Sequence, residues 1–157
     1  MNDLRRSFLK RTGGLGALVA AVATGALKPA DVLAAARNDA AFEARSTADA
    51  MKALGMSGAT NSTAIAIRAP DIAENGAVVP IDITSNVPGT RSMSLFVDNN
   101  PFPYIGTFDV SKGTDPYVHV RIKMGKSSDV RVVVAAADGN YYQAAKEVKV
   151  TIGGCGG

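Results

Sequence analysis

The stretch Y-V-H-V-R-I-K-M, residues Tyr117 to Met124, decides the fold class of this chain. Its apolar residues, Val118, Val120 and Ile122, alternate with polar or larger neighbours at every second position. Successive side chains of a β-strand point to opposite faces, so this period of two predicts a strand with one buried face. The other face of the strand is expected to meet water or a partner.

The same period of two recurs along the chain. It appears in the runs Ala64–Ile67, Val79–Thr84, Met93–Asp98, Tyr104–Val110, Val130–Val134, Tyr141–Ala145 and Val148–Ile152. Turn-forming breaks such as Asp138-Gly139-Asn140 separate the runs. Seven or so short strands in one chain of 157 residues predict a single all-β domain, an immunoglobulin-like antiparallel β-sandwich. The inter-sheet disulfide of antibody domains is excluded, because the chain has one cysteine.

A short helix is expected before the first strand. Residues Asn38 to Leu54 have a modest amphipathic pattern, with Ala44, Ala48 and Met51 on one stripe. Asn38 or Asp39 can cap its start, and the glycine after Leu54 can close it in a left-handed turn.

The first 36 residues predict an export signal. Leu4 to Lys10 form a twin-arginine motif, L-R-R-S-F-L-K, and Gly13 to Leu27 form a mildly apolar stretch. That stretch is short of the about 20 apolar residues that span a membrane. Small residues at Leu33 to Ala36 fit a cleavage site. We therefore expect an exported chain that begins near Arg37, without stable membrane anchoring; an uncleaved anchor is the alternative.

The leader also accounts for the charge of the chain. Residues 1–36 hold five Lys and Arg against two Asp, which equals the whole net charge of +3. The remainder is neutral, with 12 basic and 12 acidic residues, so we expect no nucleic-acid-binding face. Because the twin-arginine route carries folded proteins, we expect localisation in the periplasm and export together with a partner subunit.

Catalytic and metal-binding patterns are weak in the body of the chain. His119 is the only histidine and shares a strand face with Arg121 and Lys123. A catalytic triad or a metal site needs several bases or ligands that converge, so we predict no catalytic residue and no metal. The face is expected to be solvated, or else to use Arg121 and Lys123 to dock an acidic partner.

Three other features were candidates for function. Asp109 and Asp115 lie at loop ends, and their spacing does not mark an acid–base pair. The tyrosines are expected to pack rather than to form a ligand platform, whereas the loop N-N-P-F-P-Y, Asn99 to Tyr104, is a possible contact surface. No nucleotide-binding glycine motif and no C-x-x-C pair occurs, so no cofactor is expected.

Chemistry concentrates instead on the segment V-T-I-G-G-C-G-G, Val150 to Gly157. Cys155 is the single thiol and has two glycines on each side: Gly153, Gly154, Gly156 and Gly157. Three residues separate Cys155 from Ile152, which is about 10 Å of extended chain. Glycines have no side chains that would shield the sulfur, and they accept most backbone angles. The pattern predicts a flexible carrier arm, residues 153–157, that enters a narrow cleft of another protein.

Other interpretations of the cysteine remain open at this point. An odd cysteine in an exported protein also suits an intermolecular disulfide, which would make the chain a structural subunit of a periplasmic assembly. A tail with an incidental cysteine is a further alternative. A thiol enzyme is disfavoured, because the arm has no base or cation beside the sulfur. Prenylation is excluded, since only two residues follow Cys155.

The segment V-K-V-T-I-G-G-C-G-G, Val148 to Gly157, resembles the C-terminal signature of the SoxY family of sulfur carriers. Ala69 to Pro80, Asp98 to Pro103 and Arg121 to Met124 are similar to that family as well, so the resemblance covers the whole chain after the leader. It implies an immunoglobulin-like sandwich that pairs with a SoxZ-like subunit, which lacks its own export signal.

The resemblance also implies the function. In the family, the cysteine that matches Cys155 is joined to thiosulfate by a SoxAX-like haem enzyme, and a SoxB-like enzyme hydrolyses off sulfate. A sulfane dehydrogenase oxidises the remaining sulfur in some organisms. We therefore expect a carrier, not an enzyme, organised as a signal peptide (residues 1–36), a helix with a sandwich domain (37–152) and the arm (153–157).

Overall fold

The structure, a computed structural model, describes residues 37–151 of the chain. The predicted leader and arm therefore lie outside the described residues. The elements in chain order are α1 Asp39–Glu43, α2 Thr47–Ala53, β1 Thr60–Asn61, β2 Ile65–Arg68, β3 Ile72–Ala73, β4 Val79–Ser85, β5 Thr90–Val97, β6 Tyr104–Asp109, β7 Tyr117–Ile122, β8 Ser128–Ala136 and β9 Tyr141–Val150.

The strands form two sheets, as the periodicity predicts. The larger sheet has the order β1-β9-β8-β5-β6, and β3 also pairs with β9. The smaller sheet has the order β2-β4-β7. All pairings between the longer strands are antiparallel, whereas β1 and β3 pair in parallel with β9. The prediction of an all-β sandwich is confirmed.

The main core lies between the two sheets. Ile81 and Ile83 of the smaller sheet and Leu95, Val132 and Val148 of the larger sheet are fully buried and belong to one cluster. These residues occupy alternate positions of their strands, so the predicted inward faces are the observed ones.

A second core lies on the opposite face of the larger sheet. Phe96 and Val133 stand at positions that the alternation assigns to the solvent side, yet both are fully buried. The two helices pack over them, and Tyr104 joins the cluster with its ring centroid 5.4 Å from that of Phe96. Phe42 of α1 stacks at 4.6 Å on Tyr104. The larger sheet is therefore buried on both faces in this region.

The prediction of one continuous helix over Asn38 to Leu54 is wrong, because the structure has two helices there. The chain is extended at Ala44, with φ −58° and ψ 139°, and a new helix begins after Ser46. The Ser46 side chain accepts a hydrogen bond from the backbone N–H of Asp49, which caps α2 and favours the break. The predicted cap at Asn38 is confirmed, and Gly55 closes α2 in a left-handed turn with φ 70°.

Two predicted strands are one strand. The run Tyr141–Ala145 and the residues Val148 to Val150 of the next run belong to β9, whose pairing with β8 continues from Tyr141 to Val148 without interruption. Among residues 37–151, no helix is long and apolar enough to cross a membrane.

Candidate functional site

The described part of the predicted site is the segment from which the arm departs. Cys155 and the four arm glycines lie outside residues 37–151, so the structure does not place them. The segment that precedes them, Lys149 to Thr151 at the end of β9, is described and is here called the arm root.

One side of the arm root is held by β3. The backbone N–H of Lys149 donates to the carbonyl of Asp71 at 3.0 Å, and that of Thr151 donates to the carbonyl of Ala73 at 3.1 Å. The hydroxyl of Thr151 donates to the carbonyl of Glu74 at 3.0 Å. The short parallel strand β3 thus anchors β9 up to its last described residue.

The other side of the arm root is held by the β7–β8 loop. The backbone N–H of Val150 donates to Ser127 Oγ at 2.9 Å. Asn99 bonds to the same loop, through its amide nitrogen to the carbonyl of Ser127 and through its backbone N–H to Ser128 Oγ, both at 2.9 Å. Asn100 bonds to the carbonyl of Lys123 at 2.8 Å. Three loops therefore converge to fix the end of β9.

This geometry limits where the thiol can act. Cys155 is four residues beyond Thr151, and a fully extended chain of that length spans about 14 Å. Any group that reacts with the sulfur must come within that distance of the anchored Thr151. Ile72, which is paired with Lys149 of the arm root, is 59% exposed, and the neighbouring Asp71 is exposed as well.

An ion-pair network lies on the helix-covered face of the larger sheet. Arg131 Nη2 lies 2.7 Å from Asp98 Oδ2, with both side chains 23% exposed. Thr47 of α2 donates to Asp98 at 2.9 Å, and Arg131 donates to Gln143 at 3.1 Å. The hydrogen bonds that Arg131 donates to the Asp98 carboxylate raise the pKa of the Arg131 guanidinium. The network thus joins α2 and the first residue after β5 to β8 and to the early part of β9.

The sequence did not predict that Ser127, Asp98 and Arg131 form the hydrogen bonds described above. Asp98 and Arg131 are 33 residues apart, and only the register of β5 with β8 brings them together. The one local signal for this region is the turn sequence Asp98-Asn99-Asn100, whose short polar side chains favour bonds to nearby backbone groups.

The smaller sheet holds the predicted face of His119 and Arg121. His119 is exposed, and its Nδ1 lies 2.9 Å from Asp82 Oδ1, while the hydroxyl of Tyr117 donates to the same oxygen. The bonds from Tyr117 and then His119 lower the pKa of Asp82, and donation to Asp82 raises the pKa of Tyr117. These groups share one carboxylate, and all three side chains are partly or largely exposed.

The remaining candidates are not brought together. Asp109 and Asp115 are both exposed, and no interaction joins them. Phe102 of the loop after β5 is 45% exposed, with the Arg45 guanidinium 4.0 Å from its ring centroid. Pro103 and Tyr104 of that loop are buried. In the part of the chain that the structure describes, no group of three or more His, Cys, Asp or Glu side chains could hold a metal ion.

A cavity of about 540 Å³ lies at the opposite end of the sandwich from the arm root. It is lined by the β4–β5, β6–β7 and β8–β9 connections, with Arg91 and Lys112 at its edge. Since β9 spans about 30 Å between its ends, this cavity is beyond the reach of Cys155.

Comparison with known proteins identifies a family. Residues 50–155 match the model of the family described as "Sulfur oxidation protein SoxY". The match begins within α2, includes both sheets and the arm root, and ends at Cys155. Among curated proteins, none matches the sequence.

Solved structures agree with the family match. The sulfur carrier protein SoxY from Chlorobium limicola f thiosulfatophilum is similar at 42% identity and a TM-score of 0.58, covering 66% of this chain and 96% of that one. A putative superoxide reductase from Thermotoga maritima matches at 15% identity and a TM-score of 0.50, covering 59% of this chain and 93% of that one. The second likeness reflects the fold alone.

Proposed function

Because the chain belongs to the SoxY family, we propose that it is a periplasmic sulfur carrier that holds thiosulfate-derived intermediates on Cys155. The observation that carries the proposal is the anchored arm root, Thr151, followed within four residues by the single thiol of the chain. The 42% identical Chlorobium relative is itself described as a sulfur carrier, which supports the role. In this proposal the chain is a carrier on which partner enzymes act, and it is not itself an enzyme.

The covalent step is an oxidative S–S bond formation. The Cys155 thiol and the outer sulfur of thiosulfate lose two electrons and one proton together, and the product is a cysteine S-thiosulfonate. A partner enzyme accepts the electrons. Hydrolysis by water then breaks the bond between the outer sulfur and the sulfonate group, which leaves as sulfate with a proton and leaves a persulfide on Cys155.

The partners supply the chemistry that this chain lacks. We propose that a SoxZ-like subunit forms the stable complex, and that SoxAX-like, SoxB-like and, in some organisms, sulfane dehydrogenase enzymes act in turn. Haem, manganese and molybdenum chemistry belongs to those partners, and this chain carries only covalently bound sulfur. The proposed twin-arginine leader, residues 1–36, exports the chain with its SoxZ-like partner.

The body of this protein contributes a fixed starting point for the arm. Hydrogen bonds on both sides of β9 hold the arm root, so motion of the body is not needed to define where the arm begins. Gly153, Gly154, Gly156 and Gly157 have no side chains that would obstruct a narrow channel. A substrate held on Cys155 can therefore enter successive active sites without leaving the carrier.

The test compares three forms of the chain purified from thiosulfate-grown cells. Intact mass spectrometry of the natural protein is expected to show reductant-sensitive additions of sulfur or thiosulfate mass, mapped to Cys155. Cys155→Ser is expected to lose these adducts and to abolish thiosulfate oxidation with the fold unchanged. Cys155→Ser combined with Ser111→Cys keeps one thiol, moved to an exposed loop at the far end, and is expected to remain inactive.

Two results would contradict the proposal. Thiosulfate oxidation by Cys155→Ser would remove the need for the thiol. An obligatory disulfide-linked dimer through Cys155, without sulfur adducts and dissociated by reductant, would instead identify a structural subunit of a periplasmic assembly.

A further inference from the structure

The smaller sheet has an outer face that no other described element covers. The residues of this face, here called the bare face, are each half-buried or exposed: Ala66, Arg68, Pro80, Asp82, Thr84, Tyr117, His119 and Arg121. The outer face of the larger sheet differs, because α1 and α2 cover Phe96 and Val133 there. A sheet face of this kind is either a solvated surface or an interface, and its residues decide between the two.

The charge of the bare face is cationic. Arg68 and Arg121 contribute two fixed positive charges, and Asp82 contributes the one negative charge. The carboxylate of Asp82 already accepts hydrogen bonds from Tyr117 and His119, and Arg68 stands opposite it in the strand register. Lys123 follows directly after β7. Because residues 37–157 as a whole are neutral, this local excess favours a surface rich in carboxylates.

The bare face also carries a preorganised aromatic residue. Tyr117 is 53% exposed, and its hydroxyl is bonded to Asp82, so the ring is held in one orientation. Tyrosine and arginine are the residue types most often found at the energetic centres of protein interfaces. A ring fixed before binding loses less conformational entropy when a partner covers it.

The position of the arm root adds a geometric argument. The arm root belongs to β9 of the larger sheet and bonds to β3 and the β7–β8 loop. Enzymes that act on Cys155 must approach within about 14 Å of Thr151. A subunit that stays bound throughout the cycle therefore has to leave the arm root accessible, and none of the bare-face residues hydrogen-bonds to the arm root.

We propose that the bare face is the docking surface for the permanently bound partner subunit, through an acidic patch of that subunit that pairs with Arg68 and Arg121 while the same subunit covers Tyr117. This inference rests on the proposed function, since it assigns a surface to the SoxZ-like partner named there. It goes further by stating the chemistry that the partner surface must have.

The experiment measures the affinity between the purified natural chain and its separately purified SoxZ-like partner by calorimetry. Arg68→Glu combined with Arg121→Glu is expected to weaken binding by about 100-fold or more, because like charges then face each other across the interface. Tyr117→Ala is expected to weaken binding by about tenfold or more. Thermal unfolding followed by circular dichroism verifies that each variant is folded.

Matched control variants reverse the charge of exposed cationic side chains that lie outside the bare face. Arg91→Glu, beside the far cavity, and Lys149→Glu, at the arm root, are expected to change the affinity by less than about threefold. Equal affinity of the double variant and the natural chain, equal weakening by the two controls, or no binding of the natural chain to this partner would overturn the proposal. A dimer of the chain alone that the double variant converts to a monomer would assign the face to a second copy and also overturn it.

The two proposals fail separately. Sulfur adducts on Cys155 with full partner affinity in the double variant would leave the carrier function intact and reject the docking surface. Loss of partner affinity in the double variant with no sulfur adduct on the natural chain would support the docking surface and reject the carrier function.

Discussion

The two sheets of this protein differ in what lies on their outer faces. The larger sheet is covered by two short helices, so Phe96 and Val133 are buried on one side while Leu95 and Val132 are buried on the other. The smaller sheet has the core on one side only, and its other side exposes Tyr117 and charged residues. The larger sheet is thus packed on both faces, and it carries the arm root. The smaller sheet is free to contact another protein.

The sharpest test of this difference removes one aromatic side chain from each outer face. Phe96→Ala is expected to lower the free energy of unfolding by about 3–5 kcal/mol, because it leaves a cavity beneath the helices. Tyr117→Ala is expected to lower it by less than about 1 kcal/mol, because its ring is half in water. Urea unfolding followed by circular dichroism measures both. Similar losses for the two variants would show that the bare face is as important for stability as the covered one.

A second test compares an ion pair under the helices with an exposed one. Asp98→Asn removes the charge that Arg131 and Thr47 share, and is expected to lower the free energy of unfolding by about 1–3 kcal/mol. Asp71→Asn breaks the pair with Lys146, in which Asp71 is 90% exposed, and is expected to cost less than about 1 kcal/mol. The same unfolding measurement applies. A larger loss for Asp71→Asn would contradict the role of the covered network.

The smallest expected effect concerns pH on the bare face. Hydrogen bonds from Tyr117 and His119 lower the pKa of Asp82 below its ordinary value of 3.8, so the carboxylate stabilises the fold at neutral pH. That contribution is lost as the pH falls through the lowered pKa. The pKa of Tyr117 is raised above 10.0 by donation to Asp82, and its contribution is lost as the pH rises through the raised value.

Ultraviolet titration of tyrosinate checks this pair. In Asp82→Asn, the pKa of Tyr117 is expected to return toward 10.0, since the charged acceptor is gone. Asp138→Asn is the matched control, because the pKa of Tyr142 is raised by Asp138 on a different part of the surface. In that variant the pKa of Tyr142 is expected to return toward 10.0, and the pKa of Tyr117 is expected to stay unchanged. An unchanged Tyr117 titration in Asp82→Asn would mean that the hydrogen bond does not persist in solution.

The periodic strands could be predicted from sequence because each buries one face. β4, β7 and the core positions of β8 follow the period of two, and the alternation alone assigns their inner residues. Phe96 and Val133 could not be assigned in this way, since the two helices that bury them end at Ala53, well before either residue in the sequence. The break between α1 and α2 was detectable in principle from Ser46 and Asp49, which have the spacing of a helix cap.

The candidate site also has a part that the sequence predicts and a part that it does not. Cys155 and its glycines could be predicted as a site from residue type and position, and that prediction lies outside the described residues. The groups that hold the arm root could not be recognised, since Ser127, Asn99 and Glu74 act through backbone bonds that only the folded sheet register creates. β1 and β3, with two residues each, are too short for any period to be read.

The hydrogen bonds at Thr151 have a consequence for the kinetics of sulfur transfer. They set the length of the tether, and the volume that a flexibly tethered thiol searches grows roughly as the 3/2 power of that length. If the pairing with β3 and Ser127 were lost over two residues, a tether of four residues would become one of six, and the search volume would grow by roughly twofold. The concentration of the sulfur at a docked active site would fall by the same factor. Under the proposed carrier function, the small strand β3 thus helps to set how often a docked partner enzyme meets the sulfur on Cys155.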